Sequence, residues 1–146
     1  MSFLGSMDIS SSALTAQRLR MDVVAENVAN INTTRTAEGL PYRRRYVVFQ
    51  QREPQSFTQA LNSSIAGVAG SGVRVTEIGE DQAELKLEYN PSHPDANEFG
   101  YVEMPNVELA REMVDMMSAT RSYEANITVL NSTKTMAMSA LDIGRQ

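Results

Sequence analysis

The chain's single histidine, His93, stands two residues before Asp95. An imidazole beside a carboxylate is the proton-handling half of a serine-hydrolase triad. The nucleophile half is absent, because no serine carries the glycine flanks of a nucleophile elbow. His93 also lies between Pro91 and Pro94, which favours a structural turn residue over a catalytic one. Paired carboxylates could hydrolyse a glycoside if one were held protonated in an apolar pocket. The acidic run Glu80–Glu88 offers no such setting and is expected to face solvent or a basic neighbour. Arg43-Arg44-Arg45 could contact phosphates, but the net charge is −5, so a subunit contact or a solvated edge fits better than nucleic acid. With no cysteine and one histidine, thiolate and multi-imidazole metal sites are excluded, and no loop of EF-hand spacing appears. No cofactor, metal, nucleic acid or small-molecule substrate is expected.

The residues with the clearest pattern are apolar and lie at the two ends. Met7, Leu14, Met21 and Val28 recur every seven residues, with Phe3, Val24 and Ile31 between them. Leu109, Met113, Met116, Tyr123, Ile127, Leu130, Ala137 and Leu141 repeat the three-and-four spacing. Such spacing puts side chains on one face of a helix and suits knobs-into-holes packing. The first helix should start in the Ser-rich opening, with Ser6 or Asp8 as cap, and end near Asn30–Thr34, where Asn tolerates a left-handed residue. About 25 residues make a rod of roughly 38 Å. The last helix should be capped by Asn106, carry Glu108 and Glu112 in its first turns, and stop at Gly144. Its roughly 37 residues span about 55 Å, so it overhangs the first. Ser10, Gln17, Thr120 and Lys134 interrupt the stripes and argue against a self-sufficient two-stranded coil. Asn30 and Asn32 suit a capping role, whereas Asn126 suits a register-setting bond between helices.

Gly39-Leu-Pro41 breaks the chain, and Tyr46–Phe49 reads as a short strand. Ser63–Gly72 is small, Gly-rich and expected to be mobile. Val73–Thr76 and Glu84–Tyr89 alternate, and the Gly79–Gln82 turn between them predicts a hairpin with Leu85, Leu87 and Tyr89 on one face. From Tyr89 to Pro105, three prolines and a glycine predict an extended, turn-punctuated connector. The fold class is therefore mainly α with a small β part: long N- and C-terminal helices pairing as a coiled coil around a short β-hairpin and extended middle. Residues 1–34 and 104–146 would form one discontinuous inner domain, and 35–103 the middle segment. The charge is segregated, with five Arg against two Glu over 33–60 and eight acidic against two basic residues over 61–105. A contact between the basic stretch of one copy and the acidic stretch of another is expected to follow.

No apolar run approaches the roughly 20 residues of a membrane span, and the opening lacks the basic and apolar regions of a cleaved secretory signal. Either a cytosolic location or a signal-independent export route is implied.

Three blocks resemble the axial (rod and hook) proteins of the bacterial flagellum. Ala13-Leu-x-Ala-Gln17-x-Leu19-x-Met21, continued by Asn27-x-Ala-Asn30-x-Asn32-Thr33-Thr34, is similar to the N-terminal signature of that family. Asn106-Val-Glu108, Glu112-Met113, Met117, Ala119, Arg121, Tyr123-Glu124-Ala125-Asn126 and Met136 resemble the C-terminal one. Tyr89-Asn-Pro91-Ser-His93-Pro94-Asp95-Ala-Asn97, with Gly100-Tyr-Val102, resembles the proximal-rod member. Glu26-Asn27 stands where paired Asn is common, and Leu40 where a second Gly is frequent. The resemblance implies a non-catalytic subunit, exported uncleaved by the flagellar type III apparatus and assembled in the periplasmic rod of the basal body. Its partners would be itself, other rod proteins, and the membrane-ring protein and export gate at the rod base. Terminal helices would form an inner coiled-coil layer around a channel, with the middle segment outside. Seam residues Met7, Leu14, Met21, Val24, Val28, Ile31, Leu109, Met113, Met116, Tyr123, Ile127, Leu130 and Leu141 would then be subunit contacts. The residues alone also suit a cytosolic helical-bundle adaptor.

Overall fold

The structure, a computed structural model, describes residues 3–52, 61 and 72–144. The side chain of Phe3 and all of the Ser63–Ser71 stretch lie outside that description. Two long helices dominate, α1 (Phe3–Ala29) and α2 (Leu109–Ile143). Between them come four short strands: β1 (Arg45–Gln51), β2 (Val73–Glu80), β3 (Lys86–Tyr89) and β4 (Tyr101–Met104). The fold class read from the sequence is the one observed. None of the helices among the described residues is long and apolar enough to cross a membrane.

The helix ends differ from the sequence reading. α1 is already under way before Ser6 and Asp8, so neither caps it. At its other end Asn30 donates from Nδ2 to the Glu26 carbonyl, and its own carbonyl receives the Thr33 amide. That closure uses the side chain, and no described non-glycine residue has a positive φ. The residue flanking α2 is Glu108, in an extended conformation with no side-chain cap. Asn106 lies outside the helix because its side chain is bound elsewhere: Oδ1 accepts the Arg44 amide at 2.8 Å, and Nδ2 donates to the Asp81 carbonyl at 3.0 Å. Gly144 ends α2 in right-handed geometry, its amide reaching the Ala140 carbonyl.

The helices run antiparallel, since Asn27 meets Glu112, Arg20 meets Asp115 and Met21 meets Thr120. At 1.5 Å per residue that register sets the start of α1 opposite roughly residue 136 of α2. The last two turns of α2 therefore project past its partner, and Leu141 is 74% exposed. α1 is the only described element that packs on α2. The covered stripe of α2 is Glu112, Met116, Ala119, Tyr123, Asn126, Leu130, Thr133 and Ala137, a four-and-three repeat in which every other position is small or polar. α1 in turn packs on α2 on one side and on β1 and β2 on another, with Ala16, Val23, Val24 and Asn27 buried.

The predicted hairpin between β2 and β3 does not form. β2 pairs antiparallel with β1, across a bulge at Val48/Phe49, and β3 pairs antiparallel with β4. The cause lies in the 81–83 stretch. The Arg44 carbonyl accepts the Asp81 amide at 2.7 Å, while Arg43 and Asn106 donate to the Asp81 and Ala83 carbonyls. Those bonds hold the chain against the entry of β1 and the approach to α2, so it leaves the first ribbon and starts a second. The proline-rich stretch is the β3–β4 loop, not a plain connector. Its prolines stay off the strands, and Asn97 Oδ1 accepts the Phe99 and Tyr101 amides to close the turn.

Where β2 begins, Gly72 has φ +99°, and a Cβ there would overlap the Ser12 hydroxyl. That hydroxyl receives the Val73 amide at 3.0 Å and donates to the Ile9 carbonyl at 2.7 Å, tying β2 to α1. Gly72→Ala should therefore lower stability by at least about 1–2 kcal/mol, from backbone strain and the lost tie together. A urea midpoint equal to the parent's would show that this junction does not constrain the fold.

Candidate functional site

The part of the molecule with the most interlocked chemistry is where the end of α1, the entry of β1 and the start of α2 meet. Glu112, in the first turn of α2, is fully buried (0% exposed). Its Oε2 accepts Asn27 Nδ2 at 2.9 Å, and its Oε1 accepts Arg44 Nε at 2.5 Å. Arg44 continues to Asp115 at 3.2 Å, and Asp115 to Arg20 at 2.8 Å. Two cations and two anions thus alternate, and each buried charge faces its opposite.

Asn27 makes every bond an amide can make. Nδ2 donates to the Arg45 carbonyl and to Glu112, while Oδ1 accepts the Arg45 amide and the Tyr42 hydroxyl, all at 2.8–2.9 Å. Burial, with the nearby Glu26 carboxylate second, pushes the Tyr42 hydroxyl up to about 12. The Arg45 guanidinium lies 5.8 Å over the Tyr42 ring and pairs with Glu26 at 2.9 Å and Glu80 at 3.5 Å. The run Arg43–Arg45 is therefore engaged within the molecule, with the Arg45 side chain still 40% exposed.

His93 holds no proton relay. Its Nδ1 accepts the Asp95 amide at 3.2 Å and so cannot donate to the Asp95 carboxylate 3.9 Å away. Asp95 is instead held by the Thr34 hydroxyl at 2.9 Å and lies 3.7 Å from Arg35. The pair fastens the proline-rich loop to the turn after α1.

The remaining sequence-derived residues divide clearly. Met7, Leu14, Met21, Val28 and Ile31 are half-buried and Val24 is buried; on α2, Met116, Tyr123 and Leu130 lie on the stripe beneath α1. Leu109, Met113, Ile127 and Leu141 are exposed on its flank. Asn32, Pro91, Pro94, Glu124 and Ala125 are exposed, and Thr33 bonds Asn30. Asn126 donates to the Ser122 carbonyl of its own helix, so the register-setting bond belongs to Asn27 instead. Sequence reasoning missed the roles of Arg20, Asn27, Tyr42, Glu112 and Asp115. The available signal was Glu112 standing seven residues before Ala119 on a stripe that otherwise reads as packing.

Asn27→Ala leaves Glu112 and Tyr42 each one partner short and the Arg45 backbone two, and should cost about 3 kcal/mol or more in unfolding free energy. Losing well under 1 kcal/mol would mean water replaces the amide freely. The Tyr42 contribution is present in full below the unfolded value near 10 and fades as pH rises toward the folded value of about 12. Thermal midpoints should therefore fall across that window, and Tyr42→Phe should flatten the fall.

Two family profiles match parts of the chain that this junction joins. Residues 7–35 match "Flagella basal body rod protein", and residues 99–143 match "Flagellar basal body rod FlgEFG protein C-terminal". The chain is 52% identical to flagellar basal-body rod protein FlgC of Bacillus subtilis, over 96% of this chain and 97% of that protein. It is 47% identical to the FlgC of Borreliella burgdorferi, covering 98% of each. It is 43% identical to that of Salmonella typhimurium, over 99% of this chain and 100% of the relative. Likeness of that degree along the whole length makes this chain a member of the flagellar basal-body rod protein FlgC family.

Proposed function

We propose that this chain is a structural, non-catalytic building block of the flagellar basal-body rod, placed in its proximal part. The observation that carries the reading is the near full-length identity with FlgC relatives. In this reading the chain leaves the cytoplasm uncleaved through the flagellar type III apparatus and polymerises in the periplasm. Copies meet one another, other rod proteins, and the membrane-ring protein and export gate at the rod base. Residues 1–34 and 104–146 form the inner layer, and residues 35–103 extend outward from it.

The shape of α2 supports a polymerising role. One stripe is satisfied by α1, while Leu109, Met113, Ile127 and Leu141 remain bare on the adjacent flank. An apolar row of that length on a soluble chain marks an interaction surface. Burying each such side chain against a neighbour is worth on the order of 1.5–3 kcal/mol.

In a flagellated host that lacks its own rod protein C and makes this chain, swimming should return, and imaging of isolated basal bodies should place its density in the proximal rod wall. Density confined to the distal rod, or basal bodies without the chain, would overturn the reading. Leu141→Asp should abolish swimming with the chain's own stability and its secreted amount unchanged, since Leu141 is 74% exposed beyond the end of α1. Normal swimming by that variant would remove this flank from the assembly contacts.

A further inference from the structure

The β3–β4 ribbon is turned inside out relative to an ordinary surface ribbon. In its register Leu87 faces Glu103 and Tyr89 faces Tyr101, so these four share one side. The other side holds Val102, which is 1% exposed, and Met104. Val102 anchors the ribbon inward, and Lys86 ties it to the Val107 carbonyl at 3.2 Å. The outward side nevertheless carries Leu87 and Tyr89, each 65% exposed, with Tyr101 edge-on to Tyr89 at 5.3 Å. Phe99, in the adjoining turn, is 78% exposed. Three large apolar side chains and one carboxylate on a rigidly held face have the composition of an interface core.

Unpaired charge is complementary between this face and α2. Glu112 and Asp115 of α2 are consumed by Arg44 and Arg20. Among the described residues, the exposed α2 cations Arg111, Arg121 and Lys134 have no ion pair, against the single exposed carboxylate Glu124 over that span. Around the ribbon the balance is reversed, because Glu88, Glu98 and Glu103 are exposed and equally unpaired. On α2, Met113, Met117 and Arg121 follow one another at four-residue steps, which makes a ridge of two apolar side chains ending in a cation. Met113 to Arg121 advances about 12 Å along the helix, the length that a four-residue strand spans at roughly 3.3 Å per residue.

We infer that the outward face of the β3–β4 ribbon receives the Met113–Met117–Arg121 ridge of a second copy of this chain, with Arg121 meeting Glu103. The two surfaces lie on different parts of one molecule, so the contact is heterologous and can be repeated from one copy to the next. This inference rests on the rod-subunit reading and specifies which surfaces of that polymer meet.

The chain has no cysteine, so introduced ones report on chosen pairs. The test uses basal bodies from cells making two differently tagged chains, one with Leu87→Cys and one with Met117→Cys. Oxidation with copper phenanthroline should give a mixed-tag disulfide dimer at least about tenfold above the dimer from either variant alone. Both sites are more than half exposed, so the folded subunit tolerates the changes. Adding Arg121→Glu or Glu103→Arg throughout should cut the mixed dimer about tenfold, and carrying both together should restore it. Mixed dimer no stronger than the single-variant products, in basal bodies that contain the chain, overturns the docking. Basal bodies from which even the cysteine-free chain is missing overturn the rod reading, and the docking with it.

Discussion

A carboxylate with no accessible surface decides the arrangement of this molecule. Glu112 sits at the start of α2 with no accessible surface, and a lone buried carboxylate would be prohibitively unfavourable. It is tolerable because Asn27 from the end of α1 and Arg44 from the entry of β1 reach it together. Replacing such a cluster with apolar residues of equal volume often leaves stability unchanged or higher. What the cluster supplies is uniqueness. A seam built on a three-and-four repeat can slide by seven residues and still bury similar area. Only one register gives Asn27 four partners and Glu112 two.

The register has consequences away from the cluster. It sets how far α2 outruns α1, and so which turns of α2 are left without a neighbour. It consumes Arg20, Arg44, Glu112 and Asp115 in pairs, and leaves Arg111, Arg121 and Lys134 of α2 and Glu88, Glu98 and Glu103 around the ribbon exposed and unpaired. The same arginine run anchors the middle segment. Arg43 and Asn106 bind the 81–83 carbonyls, Arg45 bridges Glu26 and Glu80, and Asp95 returns the proline-rich loop to the exit of α1. Each of the two ribbons is too small to be stable alone; here each is fastened to the helices by side chains.

The elements were legible in the sequence where local pattern governs them. Helical periodicity located α1 and α2, and β-branched runs located β1 and β2. The pairing of strands was not legible, because nothing near Gly79–Gln82 reveals that Arg43 and Asn106, far away in the chain, claim its carbonyls. Capping failed at Asn106 for a related reason: a residue with good local propensity was taken by a long-range partner. The seam of α2 was read from its largest apolar side chains, whereas helix packing against α1 uses Ala119, Asn126 and Thr133 at alternate positions. Small and polar residues let the helices approach, and hydrophobicity scales rank them last. The large apolar residues Leu109, Met113, Ile127 and Leu141 are left exposed beside that seam, which is what supports their proposed role as subunit contacts.

That division explains how one short chain can be both folded and incomplete. Its interior joins a small apolar core, Val23, Val24, Val102 and Val107 among it, to polar, directional bonds that fix one register, which suits a subunit that must present fixed surfaces. Its exterior keeps large apolar side chains with charge at their margins, which in the proposed assembly are what a second copy covers. Had the buried positions been apolar and the exposed ones polar, the helices could have exchanged register or partners freely, and a monomer would have had no reason to polymerise. Placing the arginine–carboxylate cluster inside and the methionines, leucines and tyrosines outside reverses the usual distribution only in part, yet at the positions that matter. In the proposed assembly, folding fixes the geometry and association removes the apolar surface that folding leaves behind.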